Sequence, residues 1–183
     1  MTIILQTPRL LLRTLSLDDA DVMLRELNNF AITRNTARVP FPYHRDDAVS
    51  FLEFVETLDG QSCVAGIEIK SSPGELVGII SFEWSESKSD AELGYWLSEA
   101  VWGKGYGTEA ARAMVEHAFV QRGHAKMVAC YHDDNPVSGR ILFGLGFNKT
   151  GACSNFSKAQ QRDVPVTNVQ LLKSDWQKQK AAL

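Results

Sequence analysis

The stretch Val101-Trp102-Gly103-Lys104-Gly105-Tyr106-Gly107-Thr108-Glu109-Ala110-Ala111 constrains this chain more than any other. Glycine at three alternate positions is poor strand filler, because each one weakens a strand and leaves a packing position empty. The residues that follow carry a helical rhythm, with Ala110, Ala111, Met114, Val115, Ala118 and Phe119 in one apolar stripe. Arg122 and Gly123 then supply a basic last turn and a left-handed stop. A glycine loop therefore opens a helix whose inner face is apolar. At such a start the backbone N–H groups are unpaired, the helix dipole is positive, and glycine lets a ligand come close. With the mobile charge of Lys104 beside it, the loop suits a pyrophosphate.

Two other readings fit the glycines taken alone. One is an ordinary strand-to-helix turn. The other is a dinucleotide fold, since Gly105-Tyr106-Gly107-Thr108-Glu109-Ala110 matches G-x-G-x-x-A and Asp133 follows where a ribose-binding acid could stand. That fold needs a buried apolar strand running straight into the first glycine, whereas Ser98, Glu99, Trp102, Gly103 and Lys104 intervene. Too little chain follows for its double βαβ arrangement. A nucleoside-triphosphate loop is excluded because no Gly-Lys-Ser/Thr triplet exists.

The 183 residues, with 44% hydrophobic and a formal charge of −3, suit one globular domain with a substantial core. No apolar run reaches the length of a membrane span and no signal pattern opens the chain, so a cytoplasmic protein without membrane contact is expected. Cys63, Cys130 and Cys153 lie far apart with no C-x-x-C pair, which points to a reducing compartment and buried thiols rather than disulfides or a metal site. The near-neutral balance leaves no basic footprint for nucleic acid.

Taken in order, residues 3–15 predict a first strand. Asp18 opens a helix that runs to about Asn29 on Ala20, Met23, Leu24 and Leu27. Residues 30–43 read as irregular, and a second helix runs from about Asp46 to Leu58. Alternation over 62–70, 76–84 and 91–97 predicts an antiparallel meander with turns at 71–75 and 85–90. After the central helix come a strand at 126–131, a turn through Asp133-Asp134-Asn135-Pro136, a short helix over 136–144, strands near 148–157 and 164–173, and a tail with Trp176. The expected fold is a single α+β domain over 1–183: a mostly antiparallel, twisted mixed sheet of about seven strands flanked by about four helices.

Four blocks in this order, Glu92-Leu93-Gly94-Tyr95-Trp96-Leu97, Trp102 to Ala110, Asn135-Pro136-Val137-Ser138 and Leu145-Gly146-Phe147, resemble the GNAT superfamily of acetyl-CoA-dependent N-acetyltransferases. Thr7-Pro8-Arg9-Leu10-Leu11-Leu12-Arg13 with Asp19-Ala20, and Leu171 to Trp176, resemble the branch that acetylates ribosomal-protein amino termini. The resemblance implies that the amides of Trp102, Gly103, Lys104, Gly105, Tyr106, Gly107 and Thr108 cradle the coenzyme A pyrophosphate. It implies that the strand ending Trp96-Leu97 splays from its neighbour and pairs with the pantetheine arm, with the Leu97 N–H on the thioester oxygen. It places Asn135 on that arm and Ser138 near the sulfur.

Each of these residues also has a purely structural reading. Asn135 before Pro136 is equally a helix cap. Ser138 alone reads as helix surface, the side chains of Tyr95 and Trp96 read as sheet packing, and His132 beside Asp133 and Asp134 reads as a solvated turn. The chain departs from the pattern of the family it resembles at Trp102, where Gln or Arg is common, and at Leu142, where many members carry a tyrosine acid. Ser138 or a water is then left to protonate the thiolate.

Direct transfer in a ternary complex is expected, with acetyl-CoA as cosubstrate, no metal, and no Ser-His-Asp or Cys-His order for a covalent route. Glu92 is the candidate base, with Glu83 and Glu68 in reserve. An α-amino group has a pKa near 8 against about 10.4 for lysine, so freeing it is easier by about 3 kcal/mol. That favours a protein N-terminus as acceptor. A small-molecule amine (polyamine, amino sugar or antibiotic) and a catalytically silent acetyl-CoA-binding module are the alternatives. A monomer and a homodimer fit equally.

Overall fold

The computed structural model describes residues 2–85 and 90–181, and the turn expected over 85–90 lies largely outside them. The first strand is in fact two, β1 (Ile3–Gln6) and β2 (Leu10–Arg13), folded back on each other through Thr7-Pro8-Arg9. Proline has no N–H for a ladder, and the Thr7 hydroxyl accepts the Leu10 N–H at 2.9 Å to close the turn. A short 3₁₀ turn, Leu17–Asp19, leads into α1 (Ala20–Leu27); Asp19, rather than Asp18, accepts the Ser16 N–H at 2.8 Å. Within the segment expected to be irregular, α2 (Phe30–Thr33) is capped by Asn29, whose Oδ1 accepts the Ala31 N–H. α3 (Arg45–Glu56) follows.

The meander comprises β3 (Cys63–Ile69), β4 (Ser72–Ser85) and β5 (Asp90–Leu97). The glycine loop then opens α4 (Tyr106–Glu116), whose last turn relaxes into π geometry over His117–Gln121 before Gly123 at φ +76°. β6 (Lys126–His132), α5 (Pro136–Gly144), β7 (Asn148–Ser157) and β8 (Arg162–Leu172) complete the sheet. The expected tail is a helix, α6 (Lys173–Ala181), and Trp176 packs on Phe119 with ring centroids 5.4 Å apart.

Among the described residues, eight strands, one more than expected, form a single sheet in the order β1-β2-β3-β4-β5-β6-β8-β7. Every neighbouring pair is antiparallel except β5–β6. Alternation predicts one buried face for β3, but Val64, Gly66 and Glu68 are buried as well as Cys63, Ala65 and Ile67. The reason is a layer on each side. α4 and α5 cover one face with Met114, Phe119 and Leu142 among its buried residues, and α1 and α3 cover the other with Met23, Leu27 and Leu52.

Burial on both faces encloses an ion network. Arg13 donates to Asp19 twice, at 2.8 and 2.7 Å, and through Nε to Glu68, with each side chain no more than 6% exposed. Glu68 also accepts the Gly74 N–H at 3.0 Å, so it is a structural carboxylate rather than a reserve base.

Candidate active site

Among the described residues, the parallel pair β5–β6 is joined at two positions, Ala91 with Met127 and Glu92 with Val128. Beyond them the strands diverge. The Ser98 N–H donates to the Val77 carbonyl at 2.8 Å, which makes Leu97 and Gly78 a non-hydrogen-bonded pair. The N–H and C=O of Leu97 therefore turn away from β4, into the gap, and by alternation so do those of Tyr95 and Leu93. Gly78 permits this close packing, since a Cβ there would lie 2.4 Å from the Trp96 carbonyl oxygen. The same alternation corrects one expectation. Trp96 directs its main chain to β4, and its side chain packs against the α1–α3 layer, so its neighbours face the gap instead.

The glycine loop stands at one lip. Gly103 and Gly105 occupy the left-handed region at φ +74° and +79°. Among the described residues, the N–H groups of Gly103 through Thr108 meet no acceptor, as an anion-binding helix start requires, whereas the Trp102 N–H, expected in the same cradle, already donates to the Glu99 carbonyl at 3.1 Å. Lys104 Nζ donates to the Ala100 carbonyl at 3.0 Å, which holds the charge over the loop. Trp102 donates its indole N–H to the Leu97 carbonyl at 2.8 Å, tying the loop to the end of the splayed strand.

The hairpin turn between β1 and β2 braces this loop from behind. Glu109, in the first turn of α4, accepts from the Thr7 hydroxyl at 2.5 Å, the Arg9 N–H at 2.8 Å and Arg9 Nε at 2.6 Å. Arg9 also donates to the Lys104 carbonyl and lies 4.6 Å from the Tyr106 ring centroid. Burial pushes the Glu109 carboxyl up, but the Thr7 and Arg9 hydrogen bonds outweigh it and hold the group below the ordinary carboxylate range.

The start of α5 forms the opposite lip. Asn135 is a cap, its Oδ1 accepting the Ser138 N–H at 3.3 Å. Ser138 is more than helix surface, because its Oγ lies 2.9 Å from the Tyr95 hydroxyl. The next residue, Gly139, lies over Tyr131, where a Cβ would meet the ring at 2.9 Å. Leu142 is buried, and Phe143, exposed, meets Tyr131 edge to face.

On the other face of the sheet Glu92 is exposed, with no hydrogen bond or ion pair among the described residues. Glu83, directly across from it on β4, is paired with Arg38. The Glu83 hydrogen bond is the main cause of a raised Arg38 pKa, and the Glu92 charge adds to it. At the open end, beside Trp102 and Asn135, a cleft of about 390 Å³ opens between α2 and the start of α5, and Arg34 of its wall is bonded to Asp134 at 2.5 Å. Phe30, Trp102 and Val137 line it at 42%, 44% and 54% exposure, so its wall is an accessible apolar surface.

His132 is buried at the end of β6 rather than in a solvated turn, and burial lowers its pKa. Cys63 is buried and Cys130 partly so, and burial pushes both thiols up to about 11; Cys153, expected inside, is exposed on the edge strand β7. Among the described residues, no cluster of three His, Cys, Asp or Glu could hold a metal ion.

The structure thus gathers Leu97, the loop from Trp102 to Thr108, Asn135 and Ser138 around one gap, with Glu92 at its closed end. Sequence reading missed the contributions of Arg9, Glu109, Tyr95, Arg34 and Arg38. Thr7-Pro8-Arg9 carried a signal as a motif, but nothing in the sequence pointed it at Glu109.

Residues 9–148 match the acetyltransferase (GNAT) domain family. An uncharacterised N-acetyltransferase, p20, of Bacillus licheniformis is 29% identical over 94% of this chain and 97% of its own length. A ribosomal-protein-serine acetyltransferase of Escherichia coli is 37% identical over 40% of this chain and 41% of its own. Among solved structures, a ribosomal-protein α-N-acetyltransferase in complex with coenzyme A superimposes with TM-score 0.80 at 18% identity, covering 93% of this chain and 97% of that one. A spermidine N-acetyltransferase of Vibrio cholerae, in complex with coenzyme A and spermine, does so with TM-score 0.78 at 19% identity, covering 93% and 99%. No helix among the described residues is long and apolar enough to cross a membrane.

Proposed function

This chain belongs to the GNAT acetyltransferase family and is an N-acetyltransferase, and from that premise we propose that it acetylates the N-terminal α-amino group of a protein, a ribosomal protein being the leading class. The whole of 1–183 acts as one catalytic domain, and its free cysteine thiols fit the reducing cytoplasm.

The observation that carries the acceptor reading is the cleft between α2 and α5. It is open, its exposed wall is aromatic and aliphatic, and its charges are already matched by the Arg34–Asp134 pair. A polyamine needs several unmatched carboxylates, whereas a peptide terminus needs room and an apolar wall for its first side chains. The relative named for acetylating a ribosomal-protein serine supports the same reading.

Acetyl-CoA supplies the activated acyl group. The residues fit it. The unpaired amides from Gly103 to Thr108 suit the pyrophosphate, Asn135 suits the arm, and the gap-facing main chain of Tyr95 with the N–H of Leu97 offers rungs beyond the last one that β6 fills. Negative charge growing on the thioester oxygen is met by an N–H of β5. Glu92 lies five residues from Leu97, about 17 Å of extended strand, so it deprotonates an amine near Leu97 only through water. The Tyr95 N–H also faces the gap, roughly 10 Å from Glu92, and is the better-placed donor for an amine that Glu92 serves.

The test is release of the coenzyme A thiol from acetyl-CoA across one amine panel: peptides with free Ala, Ser, Thr or Met termini, the same peptides blocked, polyamines and aminoglycosides. Release with free-terminus peptides alone is expected. Release with small amines alone would replace this reading with a metabolite or antibiotic acetyltransferase, and coenzyme binding with no release would leave a silent module.

A further inference from the structure

Neither the Tyr95 hydroxyl nor the Ser138 hydroxyl has another hydrogen-bond partner among the described residues, and the two meet at 2.9 Å across the open end of the gap. The contact is built by three features. Tyr95 lies on the part of β5 beyond its last rung with β6, and Ser138 is the third residue of α5, its N–H fixed by Asn135. Gly139 lets α5 settle onto the Tyr131 ring, where any Cβ would hold the helix off.

A hydrogen bond between two hydroxyls can run either way. A phenol is the more acidic group and the better donor, and an aliphatic hydroxyl oxygen is the better acceptor. We propose that Tyr95 is a positioning residue, donating its hydrogen to Ser138 Oγ so that the serine's own hydrogen is free for the sulfur of the departing thiol. This inference rests on the acetyl-CoA reading above.

When the carbon–sulfur bond breaks, its electron pair stays on sulfur. Ser138 meets that charge with a hydrogen bond and keeps its proton, and water protonates the thiolate after release. The chain Tyr95 to Ser138 to sulfur polarises along its length, so the second bond strengthens the first. Burial raises the phenol pKa, against the weaker lowering influence of the Ser138 hydrogen bond, so Tyr95 keeps the hydrogen it donates. The arrangement places an aid to thiolate departure on β5 and α5.

The experiment titrates the thiol of bound coenzyme A by its thiolate ultraviolet absorbance, in the wild-type chain, Tyr95→Phe, Ser138→Ala and the double variant. A donated hydrogen bond lowers the bound thiol's pKa. Ser138→Ala is expected to raise it by about one pH unit and Tyr95→Phe by roughly half of that. The double variant is expected to match Ser138→Ala, because Tyr95 acts only through the serine. With an accepted amine, kcat should fall in the same order while KM for acetyl-CoA stays unchanged. A Tyr95→Phe protein with the wild-type thiol pKa, or with the same effect whether or not Ser138 is present, overturns the proposal. Failure of the wild-type chain to bind coenzyme A instead overturns the acetyl-CoA reading, and this inference with it.

Discussion

Arg9 Nε stands 2.6 Å from Glu109 Oε2, joining residues 100 apart in sequence at the back of the glycine loop. The loop's geometry is therefore held by the first hairpin as well as by its own glycines. Positive φ lets the chain turn, and the Thr7–Arg9 clasp fixes where the first turn of α4 points.

Glu109→Gln should lower stability by about 1–2 kcal/mol at neutral pH, since hydrogen bonds to a charged group are at stake and Arg9 is half exposed. The carboxyl is held below its ordinary value in the fold. Its contribution is therefore full above the ordinary carboxylate pKa of about 4.3 and fades as pH falls through the folded value. Melting temperatures of the two proteins should converge in acid. A constant gap from neutral pH to pH 3 would remove Glu109 from this role.

Two glycines of α5 should respond in opposite directions. Gly139→Ala meets the Tyr131 ring at 2.9 Å and should destabilise by about 1–3 kcal/mol. Gly144→Ala meets nothing within 4 Å, at a position without positive φ, and should stabilise by about 0.4–1 kcal/mol. Nothing in the structure explains why glycine stands at 144. Denaturant midpoints of both variants decide the matter, and equal shifts would contradict the packing account.

Arg13→Ala leaves Asp19 and Glu68 buried without their counter-charge. The expected loss is about 3–5 kcal/mol, far more than from breaking an exposed pair such as Arg45–Asp21. Comparing urea midpoints of Arg13→Ala and Arg45→Ala tests the contrast, and similar values would show the network to be dispensable.

Glu92→Gln should leave coenzyme A affinity intact, because the side chain lies on the face away from the glycine loop. Turnover of an accepted amine should fall at least tenfold at neutral pH and recover as pH approaches the amine's own pKa near 8. Full activity at every pH would strip Glu92 of the base role.

Local chemistry was legible in the sequence. The glycine loop, the Asn135 cap and the alternation of β5 depend on residues within a few positions of one another, so spacing alone reveals them. The Arg9–Glu109 clasp and the Tyr95–Ser138 contact, 100 and 43 residues apart, depend on the order of strands in the sheet, which no local period encodes. The four residues of α2 are too few to show a helical stripe. β3 misled because α-helical layers lie on both sides of it, which an alternating pattern of larger residues conceals when Gly66 and a salt-bridged Glu68 fill the second face.

Among the described residues, two rungs, Ala91–Met127 and Glu92–Val128, stitch β1–β5 to β6–β8 within the sheet. Past them, the seam lacks the backbone pairing that runs through every other strand junction. A molecule lying there with its own amides is a missing strand as much as a substrate. Bound at a hundredfold excess over its Kd, it would add about 2.7 kcal/mol to the fold, concentrated where the native ladder stops. If the acyl donor lies there as proposed, the thermal endurance of this protein would follow the donor's abundance.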